Sequence, residues 1–228
     1  MIRFVVFDLF HTLVHSPVQV WERAVAEVAA IVGVEPAALL VAYHQTWRQR
    51  QVEWGLEQTV RLLAERLGSS PSSAEVAQAA AVRRALAGRV LASADDSVIE
   101  VLDALRADGY RLGLVSNAAA DTAEAWPASS LAARFDAAMF SCEVGAAKPD
   151  PKIYLAAMTA LGARPADCFY IGDGADRELR AAAALGMTAV RTTQYRDSDP
   201  TWAGPAVTSL VELPALLPSV PAPGVAGT

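Results

Sequence analysis

Cysteine is scarce in this chain: Cys142 and Cys168 are the only two among 228 residues. Charge is also modest, at 19% Asp, Glu, Lys and Arg with a net of -6. A polyanion binder would carry a basic patch, so nucleic acid is excluded as a partner. No basic region precedes "FVVF", and the apolar run soon meets Asp8, so the opening does not read as a signal peptide. The segment from Trp202 is nearly uncharged, but prolines at 205, 214, 218, 221 and 223 exclude a membrane-spanning helix. The cysteines fall at the end of one expected strand and the start of another. In a parallel sheet those are opposite edges, too far apart for a disulfide. Two buried free thiols are expected. A cytoplasmic monomer or homodimer with no membrane partner is the resulting expectation.

What the chain does have is apolar content, 53% of residues, enough for one large domain or a core with an insertion. Short apolar runs at 3–9, 110–116, 136–141, 168–172 and 188–191 read as strands. Helical patterns separate the later ones. Val98, Val101, Leu102 and Leu105 recur at helical spacing before Gly109. Asp150 and Pro151 form a cap and first-turn pair, and Gly162 ends the helix they start. Helix, glycine, strand, repeated three times, predicts an α/β fold with a Rossmann-like parallel sheet.

Residues 15 to about 93 break this alternation. Ser16 and Pro17 start a helix with Val18, Trp21, Val25, Val28 and Val32 on one face. Pro36 starts a second helix, and Leu56, Val60, Leu63 and Leu67 mark a third. Ser72 and Glu75 fit a capping box for a fourth. The division predicted is a core of 1–14 and 94–213, an inserted helical cap of 15–93, and a disordered Pro/Ala/Gly-rich tail of 214–228.

In an open parallel sheet, ligands bind at the carboxyl ends of the strands. Four strands here finish in chemically capable groups: Asp8 leading to Thr12, then Ser116 and Asn117, then Lys148 in "GAAKPDP", and Asp173 in "FYIGDGADRE". Each alone is weak, since a strand-end Asp is usually a helix cap and a lone Lys is usually solvated. Together they suit one chemistry. A carboxylate attacks phosphorus, a divalent metal shared by Asp8 and Asp173 masks its charge, and Thr12, Ser116, Asn117 and Lys148 donate to the transferring oxygens.

The stretches "VVFDLFHTL", "LGLVSNA", "GAAKPDPKIY" and "FYIGDGADRELRAAAALGM" resemble the haloacid dehalogenase-like hydrolase superfamily over essentially residues 1–192. The resemblance implies a HAD-like core with a helical cap and Asp8 as nucleophile. It implies Ser116 and Lys148 as phosphate ligands, and Mg2+ on Asp8, the Phe10 backbone carbonyl and Asp173. The second half looks most like capped phosphatases that act on a small phosphorylated metabolite. Two positions depart from that pattern. Phe10 replaces the aspartate that usually protonates the leaving oxygen, and Glu178 stands where the last motif usually has Asp.

Phe10 discriminates between readings. Haloacid dehalogenases also have an aromatic residue here, since halide departs without an acid. "TWRQRQVEW" is similar to their cap segment, with Arg48 matching their substrate arginine and Tyr154 another of their residues. They are metal-free, however, and have small polar residues in place of Asp173. A buried acid there without metal would repel both Asp8 and an anionic substrate. A Mg2+-dependent phosphatase is therefore the principal reading, with Arg48 and His11 as further substrate contacts. His11, or a cap residue on closure, is the candidate replacement acid. The alternatives are a metal-free 2-haloacid dehalogenase and a non-catalytic phospho-ligand binder.

Overall fold

A computed structural model describes residues 3–218. The strands are β1 (Phe4–Phe7), β2 (Arg111–Ser116), β3 (Ala137–Phe140), β4 (Cys168–Gly172), β5 (Thr188–Thr192) and β6 (Ala206–Val207). They form one sheet in the order β3-β2-β1-β4-β5-β6, with every pair parallel. Phe7 at the end of β1 lies level with Leu114 of β2 and Ile171 of β4. The strand order reverses direction at β1/β4, which is where a doubly wound sheet opens a crevice. The expected α/β Rossmann-like sheet is thus observed.

The helices are α1 (Val18–Val32), α2 (Pro36–Gln45), α3 (Trp47–Val52), α4 (Leu56–Arg66), α5 (Ser73–Leu91), α6 (Asp96–Ala107), α7 (Ala120–Ala125), α8 (Ser141–Val144), α9 (Pro151–Leu161), α10 (Glu178–Ala184) and α11 (Leu213–Leu216). Strand alternation sorts the core into two layers. Val5, Phe7, Leu112, Leu114 and Ile171 pack with Leu102 and Leu105 of α6. Val6, Val115 and Tyr170 pack with Ile153 and Leu161 of α9 and Leu179 of α10. Covered on both faces, these strands are apolar throughout, as parallel strands generally are.

Helices α1 to α5 form the insertion after β1. Their own core joins Val25, Val28, Leu39, Tyr43, Val60, Leu63 and Val76. Ser72 and Glu75 make the reciprocal capping box that starts α5. Val18 departs from the expected apolar face of α1: it is 63% exposed and stands beside the cavity described below.

Two expectations need correction. Residues from 214 do not all form a structureless tail. α11 spans Leu213–Leu216, and Leu213 and Leu217 are buried in the α6 layer. Pro214 sits in the first turn of α11, where a missing N–H costs nothing, so proline content was a poor guide. Residues 219–228 lie outside the described residues. Second, Cys142 lies in α8 after β3, not in the strand, and is only partly buried. Cys168 opens β4 and is buried, and both thiols are free.

Candidate active site

The sequence after β1 folds into a tight turn that brings Thr12 back over Asp8. The Leu9 carbonyl accepts from the N–H groups of Leu13 (2.9 Å) and Val14 (3.1 Å). His11 has a left-handed backbone, φ 59°, an uncommon state for a residue with a side chain. The Asp8 N–H donates to the Ile171 carbonyl at 2.8 Å, tying the turn to β4. The Thr12 hydroxyl then donates to Asp8 Oδ2 at 3.2 Å. Asp8 is 5% exposed and Thr12 fully buried.

Lys148 completes this corner. Its ammonium donates to Asp8 Oδ1, to Glu178 Oε2 (2.5 Å) and to the Tyr170 hydroxyl (3.3 Å). Glu178 is wholly buried at the start of α10. Its Oε2 also accepts from the Tyr170 hydroxyl (2.7 Å) and its Oε1 from the Gly174 N–H (3.1 Å). A Cβ on Gly172 would lie 2.1 Å from Glu178 Oε1, so glycine is what lets Glu178 reach under the strand end. Asn117 holds the lysine loop in place. Its Oδ1 accepts from the Lys148 N–H (2.7 Å), and its Nδ2 donates to the Lys148 carbonyl (3.1 Å) and to Asp176 (2.7 Å). Asn117 thus positions the loop, and it also lines the cavity described below, where the sequence suggested a contact with substrate.

Asp173 lies past the end of β4 and is 1% exposed. Its Oδ1 accepts from the Ala175 N–H (3.0 Å) and its Oδ2 from the Ser198 hydroxyl (2.5 Å). Carboxylate oxygens of Asp8, Asp173 and Glu178 lie within 4.8 Å of one another. Burial pushes Asp8 above the ordinary carboxylate range, Lys148 opposes it, and the Asp173 charge adds to it. Burial likewise pushes Glu178 up to about 8, against the pull of Lys148. Burial alone would lower Lys148, but attraction to Asp8 and Glu178 outweighs it and raises the ammonium. The lysine therefore stays charged while two carboxylates compete for it. Three crowded acids with one ammonium leave uncompensated negative charge, and all-oxygen donors of this kind suit a hard divalent cation. The Ser116 hydroxyl, at the end of β2, is buried without a hydrogen-bond partner. A buried hydroxyl in that state is a donor awaiting an acceptor.

Between cap and core, reached from this corner through the adjoining Phe10, His11 and Asn117, lies a cavity of about 340 Å³. Phe10, His11 and Asn117 contribute to its floor, and His44, Arg50, Gln51 and Arg83 to the cap side. Arg48 does not line it and is exposed. Thr46 interrupts the helix between α2 and α3, with φ -111° and ψ 18°, so helical spacing does not carry across it: His44 before the break lines the cavity and Arg48 after it does not. Arg50, two residues on, takes the inward place. Tyr154 is buried in the α9 layer, and its hydroxyl donates to the Glu178 carbonyl (3.2 Å). The His11 imidazole is half-buried with an unpartnered Nδ1 and is held below its ordinary pKa by burial. Sequence reasoning missed Tyr170 and Gly172. It noted Glu178 as an anomaly without seeing it as the partner of Lys148, although a glycine before "DGADRE" marks a close approach.

The sequence profile of haloacid dehalogenase-like hydrolases matches residues 2–186. The chain belongs to that family. A glyceraldehyde 3-phosphate phosphatase of Methanopyrus kandleri is 30% identical over 207 residues, 88% of each chain. The (S)-2-haloacid dehalogenase 4A of Burkholderia cepacia is 29% identical over 206 residues, covering 83% of this chain and 82% of the relative. Among solved structures, a HAD phosphatase from Thermococcus onnurineus superposes with a TM-score of 0.71 at 21% identity, covering 96% of this chain and 99% of the other. The chain is accordingly a hydrolase, and its relatives include both phosphatases and dehalogenases.

Proposed function

We propose that this hydrolase is a Mg2+-dependent phosphatase of small phosphomonoesters, with Asp8 as nucleophile. The observation that carries the reading is Asp173, buried beside Asp8 and Glu178 with a single lysine among them. That cluster repels an anionic substrate unless a cation is added, which a metal-free dehalogenase would have to endure. Asp8 and Asp173 would hold the magnesium, with Phe10 offering its backbone carbonyl. When bound, the ion neutralises their charge and polarises the phosphoryl oxygens.

Lys148 and the Ser116 hydroxyl orient the phosphoryl group, and Lys148 is itself fixed by Glu178 and Tyr170. An Asp8 oxygen attacks phosphorus, a P–O(Asp8) bond forms, and the P–O(ester) bond breaks with its electron pair leaving on the alcohol oxygen. That oxygen takes a proton from water, since burial holds the His11 imidazole below its ordinary pKa and favours its neutral form. Water then attacks the phosphorus of the acyl phosphate, inorganic phosphate departs, and the Asp8 carboxylate is restored. Thr12 steadies Asp8 Oδ2 throughout. With Phe10 in place of an acid, esters of good leaving groups are favoured.

The dehalogenase reading rests on Phe10 and on the likeness to the Burkholderia enzyme. It is weakened by Arg48, the arginine it needs, which is exposed and outside the cavity. A panel of phosphomonoesters and 2-haloacids assayed with magnesium and with chelator tests the proposal. Phosphate release that requires magnesium and vanishes in Asp8→Asn is expected. Chelator-resistant halide release would move the assignment to dehalogenase.

A further inference from the structure

The chain between β5 and β6 packs against Asp173. Ser198 makes two contacts with it: its hydroxyl donates to Asp173 Oδ2 at 2.5 Å, and its N–H donates to the Asp173 carbonyl at 3.1 Å. The other carboxylate oxygen, Oδ1, accepts from the Ala175 N–H at 3.0 Å. Each oxygen of an ionised carboxylate has about two acceptor positions. One donor on each oxygen therefore fixes the plane of the group and leaves a lone pair on each for a cation. A serine in a turn ordinarily bonds the backbone next to it. Ser198 instead reaches a carboxylate 25 residues back along the chain.

Ser198 is itself held in place. Arg191 of β5 grips the residues on either side of it, donating to Asp197 Oδ1 (3.0 Å) and to the Asp199 carbonyl (2.6 Å). Arg180 of α10 donates to Asp199 Oδ2 (3.4 Å) and to the Thr201 hydroxyl (2.7 Å). Nearer β5, the Tyr195 hydroxyl donates to Asp95 Oδ2 at 2.6 Å. The turn after Asp173 is shaped to admit this segment. Gly174 has φ 94°, and a Cβ on it would lie 2.6 Å from the Asp199 Cβ. Any other residue at 174 would be strained and would push the segment off Asp173.

We propose that Ser198 is a positioning residue for the metal site, aiming the Asp173 carboxylate at an ion shared with Asp8. Without it, Asp173 would be free to turn about its side-chain bonds, and the cost of fixing it would fall on the binding step. Hydrogen-bond partners of metal-ligating groups are worth about 10- to 100-fold in metal affinity. This inference rests on the magnesium reading above and adds a residue to that site.

Magnesium affinity of the full chain is measured by calorimetry for the wild type, Ser198→Ala, Ser198→Thr and Asp173→Asn. A thermal melt in chelator checks that each variant folds. Ser198→Ala should weaken magnesium binding by about 10- to 100-fold, and Ser198→Thr, which keeps the hydroxyl, should stay within about threefold of wild type. If Ser198→Ala does not fold, Ser198→Cys, a weaker donor of similar size, should weaken binding in the same direction. Turnover of an aryl phosphate by Ser198→Ala should fall at low magnesium and return when magnesium saturates, since Ser198 touches no reacting atom. A serine that only stabilises its loop would lower the melt and leave the affinity alone, which overturns the role. Binding lost in Asp173→Asn but within about twofold of wild type in Ser198→Ala overturns the positioning role alone. A wild type that binds no magnesium, or an Asp173→Asn variant that binds it unchanged, overturns the metal site and the positioning role together. Magnesium affinity that depends on Ser198 in a chain that releases no phosphate supports the positioning role and overturns the phosphatase reading.

Discussion

Replacing Arg83 by methionine removes the cap's half of a buried ion pair that joins α5 to α7. Both side chains are nearly inaccessible, at 7% for Arg83 and 6% for Asp121, and their contact is 2.6 Å. Arg83 also lies 5.3 Å from the Tyr43 ring centroid and 5.9 Å from that of Trp21. The variant leaves Asp121 buried without its counter-ion. Breaking a buried pair in this way costs roughly 3–5 kcal/mol. For a chain of this size that corresponds to a fall in Tm of roughly 6–20 °C. Removing both partners should cost far less, because apolar replacement of a buried pair is often neutral. Thermal melts of Arg83→Met, Asp121→Leu and the double variant therefore form a cycle, with an expected coupling of about 2 kcal/mol or more. Asp121 Oδ1 also accepts from the Thr122 N–H at 3.0 Å, so Asp121→Leu carries a small cost of its own. A coupling below about 0.5 kcal/mol would show that the pair does not join cap to core energetically.

Phe10→Asp should raise kcat/KM on alkyl phosphates by about tenfold or more, and by less on aryl phosphates, whose leaving groups need little protonation. Equal gains on both, with metal affinity intact, would show that Phe10 does not mark a missing acid. Gly172→Ala drives a Cβ into Glu178 Oε1 and should cost about 1–3 kcal/mol by overpacking, with lower kcat as Lys148 loses its anchor. A melt and a turnover rate unchanged from wild type would contradict that contact. In chelator, Glu178 is pushed up to about 8 when folded, above the usual value near 4.5, so the folded state holds the extra proton between those values. Its contribution to stability therefore falls as pH rises through that window, by at most about 1.4 kcal/mol per pH unit. Glu178→Gln should remove that component from a plot of stability against pH, and an identical slope in the variant would refute it.

Much of the core was legible in the sequence. Apolar runs between glycine-ended helices located five of the six strands, because buried parallel strands cannot hide their hydrophobicity. The same logic missed β6, whose two residues, Ala206–Val207, are too short to show a pattern. Asp8, Thr12, Lys148 and Asp173 were readable because strand ends deliver side chains to a shared edge. The structure brings Asp8, Thr12 and Lys148 into direct contact and sets Asp173 beside them. Arg48 was not placed correctly, since a helix break at Thr46 changes which residues face inward and periodicity assumes an unbroken helix. Tyr170 read as one more apolar strand residue. Its hydroxyl matters only because Glu178 and Lys148 converge on it from elements 8 and 22 residues away.

The central claim, that Asp8 carries the phosphoryl group, is tested most directly by trapping. The enzyme is mixed with magnesium and an aryl phosphate, quenched during turnover, reduced with borohydride, digested and analysed by mass spectrometry. Reduction converts an aspartyl phosphate to homoserine, and the account predicts homoserine at position 8 and at no other aspartate. Turnover with Asp8 unmodified, or an acyl phosphate found at Asp173, would contradict it.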